Sequence, residues 1–399
     1  MRKSVIVIGG GLVGLSTSFH ILKQYPGINL TLIEKEKNVG LHQSSHNSGV
    51  IHSGIYYAPG SLKAINCVDG YHAMLSFCEK YGIEFEITGK VVVATSPTEV
   101  PRLEKLHDRG VANGLKGLRL LNPSEIQDYE PNCVGLKGIH VPQTGIINYL
   151  DVAIKLAELV RELGGEILLN EQVSGIRNLG KRIEVKSLSK IWMSDAAVVC
   201  AGLQSDRLAQ FSQNDTSFRI LPFRGEYYEF TKSAPKLVNN LIYPVPNPAF
   251  PFLGVHFTRT ISGAIECGPN AVFSLGRETY KKSNLPGRDL LDSITWPGTY
   301  KLAYRNWQMG LGEFYRSQSK QAFVRALQHL VPAVQPEHLQ RGESGIRAQA
   351  TDSKGNLIDD FEILQDGNLI HVCNAPSPAA TASLAIGKTI SRTLMSSIV

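Results

Sequence analysis

A chain of 399 residues, 43% hydrophobic, 19% charged and 8% aromatic, is long enough for about two to three folding units, and it carries no biased stretch of the kind that marks disorder or a fibre. Lys plus Arg number 41 against 35 acids, a formal +6 that is too mild over this length for a nucleic-acid binder. The six cysteines contain no C-x-x-C pair, so neither a disulfide framework nor a zinc ribbon is expected, and a reducing, cytoplasmic setting is.

Met1-Arg2-Lys3 before the apolar run Val5 to Leu15 imitates a secretory signal, but four glycines interrupt the run and no small-x-small site follows. No run of 18 apolar residues occurs, so no membrane span is expected. Ser4 to Ile8 is β-branched and apolar throughout, the pattern of a strand buried on both faces of a parallel sheet. Gly9-x-Gly11-x-x-Gly14 follows at once and opens a helix through Leu15, Phe19 and Leu22 that ends before Pro26-Gly27. Leu30 to Ile33 is a second strand, and Glu34 closes it 20 residues after Gly14. This strand, turn, helix, strand and acid series is the context a lone glycine motif lacks. Its glycines let a pyrophosphate approach the N-terminus of the helix at Leu12 and Val13, where free N–H groups and the dipole favour negative charge. Glu34 is then placed to accept hydrogen bonds from the ribose hydroxyls.

Beyond Tyr81 the βα rhythm is lost. Gly89 to Thr95 reads as one strand and Pro101 to Arg109 as a charged helix. Leu150 to Leu163 is an amphipathic helix, four short strands follow between Glu166 and Met193, and Asp195 to Cys200 returns as a buried strand ending in Ala201-Gly202. A second excursion from Phe218 to about Leu330 holds strands at Phe223 to Thr231 and Ile261 to Gly268. It also holds a segment, Arg277 to Arg325, with nine Lys/Arg against four acids and two of the three tryptophans. The tail brings a strand at Leu369 to Cys373, a Gly/Pro/Ser-bounded turn and a final helix. The expected fold class is α/β: a Rossmann-like cofactor domain (1–80, 145–215 and 340–399) interleaved with a substrate domain of mixed β-sheet plus helices (81–144 and 216–339).

A nicotinamide enzyme and a flavin enzyme can share the first 34 residues. The polar stretch after Lys35, with Gln43, Ser44, Ser45, His46, Asn47 and Ser48, supplies groups for a ribityl chain and pyrophosphate. The turn Ser377-Pro378-Ala379-Ala380-Thr381 offers a second helix N-terminus, suited to the carbonyl groups of a flavin pyrimidine. Together they favour FAD. His42 and His46 stand four apart, the spacing of a metal pair on a helix, but the intervening Gln-Ser-Ser and the following Asn-Ser-Gly argue against a helix there, and no metal site is expected.

Several motifs, Gly9 to Gly14, His46 to Tyr57, Pro59 to Ala64, Pro222 to Tyr228, His256 to Arg259, Gly268 to Ala271 and Asn374 to Thr381, resemble those of the L-2-hydroxyglutarate oxidase/dehydrogenase family. That family lies within the D-amino-acid-oxidase-like flavoproteins. The resemblance spans nearly the whole chain and implies noncovalent FAD, a GR2-type FAD domain and oxidation of L-2-hydroxyglutarate to 2-oxoglutarate. By the same resemblance Val173 gives backbone contacts to the adenine, and Ala201-Gly202 lies beside the adenosine. The N-terminus lacks the Arg/Ser-rich presequence of mitochondrial members, so a bacterial protein is expected.

Oxidising a 2-hydroxy acid on a flavin requires a base for the hydroxyl proton and cations for the carboxylates. Histidine suits the first role because its unperturbed pKa of about 6.5 lies near working pH. His52 is the leading candidate and His256 the second. A planar, bidentate guanidinium suits the second role. Arg347 matches the carboxylate clamp of the wider flavin-oxidase group, Arg259 is the expected partner for the other carboxylate, Tyr57 is a weaker candidate, and Arg224 reads better as a salt-bridge residue. Electrons would pass to a quinone or to oxygen. The basic, aromatic segment 277–325 could lie on an anionic membrane face as a peripheral contact, or be an amphipathic helical pair packed on the substrate domain. Rival readings are a flavin oxidase of another 2-hydroxy acid, an amino acid or glycerol 3-phosphate, and a dinucleotide-binding regulator without turnover.

Overall fold

The computed structural model describes residues 2–212, 217–247, 253–280 and 287–398. Its first layer is a six-stranded sheet in the order Glu362–Asp366, Leu369–Asn374, Ala196–Val199, Ser4–Ile8, Asn29–Ile33, Glu166–Leu168. All neighbours are parallel except the Glu362–Asp366 edge strand. Val5 and Val7 on one face, and Ile6 and Ile8 on the other, are all buried, as a strand covered on both sides requires. Helices Leu12–Gln24, Leu62–Tyr81, Tyr149–Glu162 and Ala379–Met395 cover the first face. An antiparallel trio, Val173–Asn178, Ile183–Ser187 and Ile191–Ser194, covers the second through Ile176, Ile183 and Val185. Each such aliphatic side chain contributes about 1.5–3 kcal/mol by leaving water.

The helices on the first face pack closely because small residues line their contacts. A Cβ at Gly387 would meet Ser16 Oγ at 2.3 Å, and one at Gly70 would meet Ala382 Cα at 2.5 Å. The final helix is thereby held against Leu12–Gln24 and Leu62–Tyr81, and its N-terminus is carried to the same end of the sheet as the glycine turn.

The second layer, among the described residues, is a nine-stranded mixed sheet that includes Lys90–Ala94, Phe218–Phe230, Leu241–Pro244, His256–Arg259 and Leu339–Asp352. Beneath it lies a separate core around Phe257, Phe323, Leu327 and Val331, part of which comes from the helix Lys320–Gln328. A small sheet of Val50–Ile51, Gly145–Ile147 and Phe85–Ile87 stitches the layers together. The expected boundary at 340 falls too early. Leu339–Asp352 pairs antiparallel with Phe218–Phe230 along its whole length, so it belongs to the mixed sheet, and the chain rejoins the parallel sheet only at Glu362.

Candidate active site

A cleft of about 1270 Å³ runs between the two layers, larger than the ≈ 300–1,000 Å³ typical of a small-molecule pocket. One end is built by the glycine turn. Gly9 has φ +109° and donates its N–H to the Ile33 carbonyl; a Cβ there would lie 2.2 Å from the Cys200 carbonyl oxygen. At Gly14 a Cβ would lie 2.0 Å from the Gly9 carbonyl oxygen, so this glycine does not line the cleft but lets the helix start against the strand. Gly11 caps the helix with no side chain in the way, and Leu12 N–H donates to Ser44 Oγ at 3.0 Å. Glu34, nearly buried, accepts Gly10 N–H at 2.6 Å and Glu36 N–H at 2.9 Å, which fixes its carboxylate on the cleft wall. Val13, Lys35, Val173, Ala201 and Gly202 complete this end.

The middle is lined by Gln43, Ser44, His46, Asn47 and Ser48. Ser45 is not: its hydroxyl turns back onto the His42 carbonyl at 3.3 Å and the His46 ring at 3.1 Å. At the far end Ser377, Pro378, Ala379 and Ala380 bring the last helix's N-terminus to the wall, with no side chain capping it. Thr381 points into the fold instead, bonding the Tyr149 hydroxyl at 2.7 Å and accepting the His52 N–H at 3.1 Å. It therefore supports His52 rather than a ligand.

Past that wall, His52, His256, Tyr57, Tyr227, Tyr243 and Arg347 converge. The Arg347 strand pairs with Phe218–Phe230, and Arg347 reaches the Tyr227 hydroxyl. Tyr57 lies with its hydroxyl 3.5 Å from Ser377 Oγ. His256 Nδ1 sits 2.9 Å from the Gly254 carbonyl, which can only accept, so Nδ1 carries the proton and Nε2 is the acceptor. His52 Nδ1 is buried with no hydrogen-bond partner among the described residues. Burial, and after it the charges of Lys90 and Arg347 and the facing imidazole, push His52 down to about 3; burial does the same to His256. Both rings are therefore neutral proton acceptors at physiological pH.

Arg259 is not in this cluster. Residues three apart on a strand point to opposite faces, and with His256 in the cleft Arg259 emerges on the other side, bonded to Glu86 at 2.5 Å and Asn240 at 3.3 Å. Arg224 pairs with Glu226 at 3.1 Å, as a salt-bridge residue would. Glu36, His42 and Glu278 offer ligand atoms close together, but the Lys35 ammonium bonds both carboxylates and His42, so a cation already sits among them. The residue that sequence reasoning passed over is Lys90, buried and lying over the rings of Tyr56 and Tyr243 at 4.3 and 4.9 Å. A lysine opening an otherwise apolar strand, Lys-Val-Val-Val-Ala, was the available signal.

A glycine-cornered helix N-terminus, an acid behind it, a second helix N-terminus along the same cleft and a cluster of basic groups beyond define a dinucleotide-dependent oxidoreductase of the flavin type. The whole chain agrees: residues 4–393 match the family model described as FAD dependent oxidoreductase (DAO), and the chain belongs to that family. It is 50% identical over 391 residues to the L-2-hydroxyglutarate dehydrogenase of Indibacter alkaliphilus, covering 98% of each chain. It is 41% identical over 383 residues to that of Escherichia coli K12, covering 96% of this chain and 90% of the relative. Among solved structures it resembles the FAD-bound L-alpha-glycerophosphate oxidase of Mycoplasma pneumoniae, with TM-score 0.80 and 21% identity over 99% of this chain and 95% of the other. The glycine oxidase of Geobacillus kaustophilus follows at TM-score 0.75 and 16% identity over 100% and 96%. FAD is thus the cofactor, and the cleft fits it: Gly9 and Gly11 line it at a helix N-terminus that no side chain caps, and Glu34 is held in place on the wall beside them.

Proposed function

We propose that the protein oxidises L-2-hydroxyglutarate to 2-oxoglutarate, with Arg347 holding the substrate carboxylate and His52 taking the hydroxyl proton. The observation that carries this reading is the convergence of one guanidinium and two neutral imidazoles at the end of the FAD cleft; the names of the relatives at 41–50% identity support the substrate. Bound FAD supplies the two-electron acceptor for the Cα hydride. The chain's own residues do the rest. Arg347 offers a planar donor pair to one carboxylate. Tyr57 and Tyr227 wall the site. His52 is neutral and its Nδ1 has no hydrogen-bond partner among the described residues, so the ring holds no proton that would bar it from accepting one from the hydroxyl. A second assignment rests on the Gly254 carbonyl: it fixes His256 in the tautomer whose Nε2 accepts, which makes His256 the other base.

Among the described residues no helix is long and apolar enough to cross a membrane. Helices Gly287–Thr295 and Pro297–Gln318 nevertheless leave Leu291, Tyr300, Tyr304, Trp307, Leu311 and Phe314 exposed, beside exposed Lys301 and Arg305. Arg277, counted in the basic segment, is buried against Asp206 and takes no part in that face, and Lys281 and Lys282 lie outside the described residues. This amphipathic, basic face suits peripheral contact with an anionic membrane, from which a quinone would collect the electrons; oxygen is the acceptor in its absence.

Turnover with an artificial electron acceptor tests the reaction. The L enantiomer of 2-hydroxyglutarate should be oxidised and the D enantiomer should not, while faster turnover of glycerol 3-phosphate or of an amino acid would replace the proposed substrate. Flotation with anionic vesicles tests the membrane face: exchanging Tyr304, Trp307 and Phe314 for serine should abolish binding, and unchanged partition would remove that part of the reading.

A further inference from the structure

Lys90 carries a charge for which the free protein has no answer. It opens the strand Lys90–Ala94, all five residues of which are buried, and only 2% of its own surface is exposed. Its Nζ is buried with no hydrogen-bond partner among the described residues. The ammonium lies over the rings of Tyr56 and Tyr243, both of which line the cleft, and it is close enough to His52 and His256 to depress both. Around it stand Tyr56, Tyr243, His52, His256 and Cys67, with Arg347 beyond, and none of these is a carboxylate. An unpaired buried cation costs several kcal/mol, a cost relieved either by loss of the proton or by the arrival of an anion. Arg259 is turned away onto Glu86, and of the cleft-lining cations near Tyr56 and Tyr57, Lys63 is bonded to Asp359 and Arg109 to the Tyr56 carbonyl, so Lys90, just behind the wall that Tyr56 and Tyr243 form, is the buried cation with no carboxylate bonded to it among the described residues.

We propose that Lys90 is the specificity-determining cation for the distal carboxylate, so that preference for a diacid over a monoacid resides in this side chain. The proposal rests on the function proposed above. One unit charge acting over about 5–8 Å at an effective dielectric near 20 discriminates on the order of 30- to 300-fold. Burial pushes the Lys90 ammonium down to about 7. Above that pH the free protein loses the charge and must take up a proton to bind a diacid, whereas binding of a monoacid to Arg347 carries no such requirement.

The test uses the FAD-loaded protein and two competitive inhibitors, glutarate and pentanoate, which differ in one carboxylate. Oxidation of L-2-hydroxyglutarate by the unmodified protein is established first, and its failure would fall on the function and not on Lys90. In Lys90→Met the inhibition constant of glutarate should rise about 30- to 300-fold while that of pentanoate stays within threefold, and Lys90→Arg should restore part of the difference. Equal changes for the two inhibitors, or no change, would overturn the proposal. Should Lys90→Met lose FAD, the pH profile of the unmodified protein decides: glutarate binding should weaken about tenfold per unit above pH 7 with pentanoate flat, and parallel profiles would overturn it.

Discussion

Arg277→Met should destabilise the protein by about 3–5 kcal/mol, the cost of stranding one member of a buried ion pair. Arg277 is 1% exposed and Asp206 is not exposed at all. The guanidinium bonds both carboxylate oxygens of Asp206, with Nη2 at 2.8 Å, and donates to the Leu203 carbonyl at 2.9 Å. Methionine fills much of the same volume but leaves Asp206, among the described residues, with the N–H groups of Arg207 at 2.9 Å and Ile220 at 3.0 Å, and takes the guanidinium donor from the Leu203 carbonyl. Against a total of roughly 5–15 kcal/mol this is a large fraction. Because Asp206 belongs to the short helix that follows Gly202 on the cleft wall, FAD should be released before the rest of the chain unfolds. Urea unfolding at fixed FAD, followed by flavin and tryptophan fluorescence, measures both effects. Adding Asp206→Leu removes the stranded charge and should recover a large part of the loss, giving a coupling of about 0.5–3 kcal/mol. A surface arginine would cost within about 0.5 kcal/mol, so a change that small, or strict additivity in the double variant, would refute the buried pair.

His52→Asn should lower kcat about 10²- to 10⁴-fold with FAD retained, and His256→Asn should do so less; the reverse order in stopped-flow reduction would move the base to His256. Arg347→Met should raise KM about 10- to 100-fold, the loss of hydrogen bonds to a charged group, while the visible spectrum stays that of the holoprotein. Gly9→Ala combines a φ of +109° with a Cβ 2.2 Å from the Cys200 carbonyl oxygen and should give protein without flavin; Glu34→Gln should weaken FAD about 10- to 100-fold in equilibrium dialysis. His52 and His256 stay neutral in the fold but gain protons in the unfolded chain below about pH 6.5. Each should therefore cost up to about 1.4 kcal/mol of stability per pH unit as pH falls from 6.5 toward 3, a slope that His52→Asn reduces in urea titrations at pH 6 and 5.

Local pattern carried the cofactor end of this protein. The run Ser4 to Ile8, the glycine turn and Glu34 lie within one contiguous unit whose geometry follows from the chain's own chemistry, and they fold as that chemistry requires. The helix Leu62–Tyr81 was not legible in the same way, because it buries small residues such as Gly70 and Cys67 against another helix in place of a clear apolar stripe. The substrate end depends on pairing between distant strands. Strand parity, available from the sequence once the strand is recognised, says that His256 and Arg259 cannot both face the cleft, and only the packing of the two layers decides that His256 does. Ser45 and Thr381 sit within stretches that do line the cleft, and only the turn geometry sends their hydroxyls elsewhere. Lys90 needed the fold: nothing in its strand reveals that Tyr56 and Tyr243, 34 and 153 positions away, close over it.

The most direct test is the visible spectrum of the purified protein, recorded before and after anaerobic addition of L-2-hydroxyglutarate. A yellow protein whose flavin band bleaches on adding the L enantiomer, and stays unchanged with the D enantiomer, is the expected result. A colourless protein that takes up no FAD, or a flavin that stays oxidised in the presence of the diacid, would contradict the account.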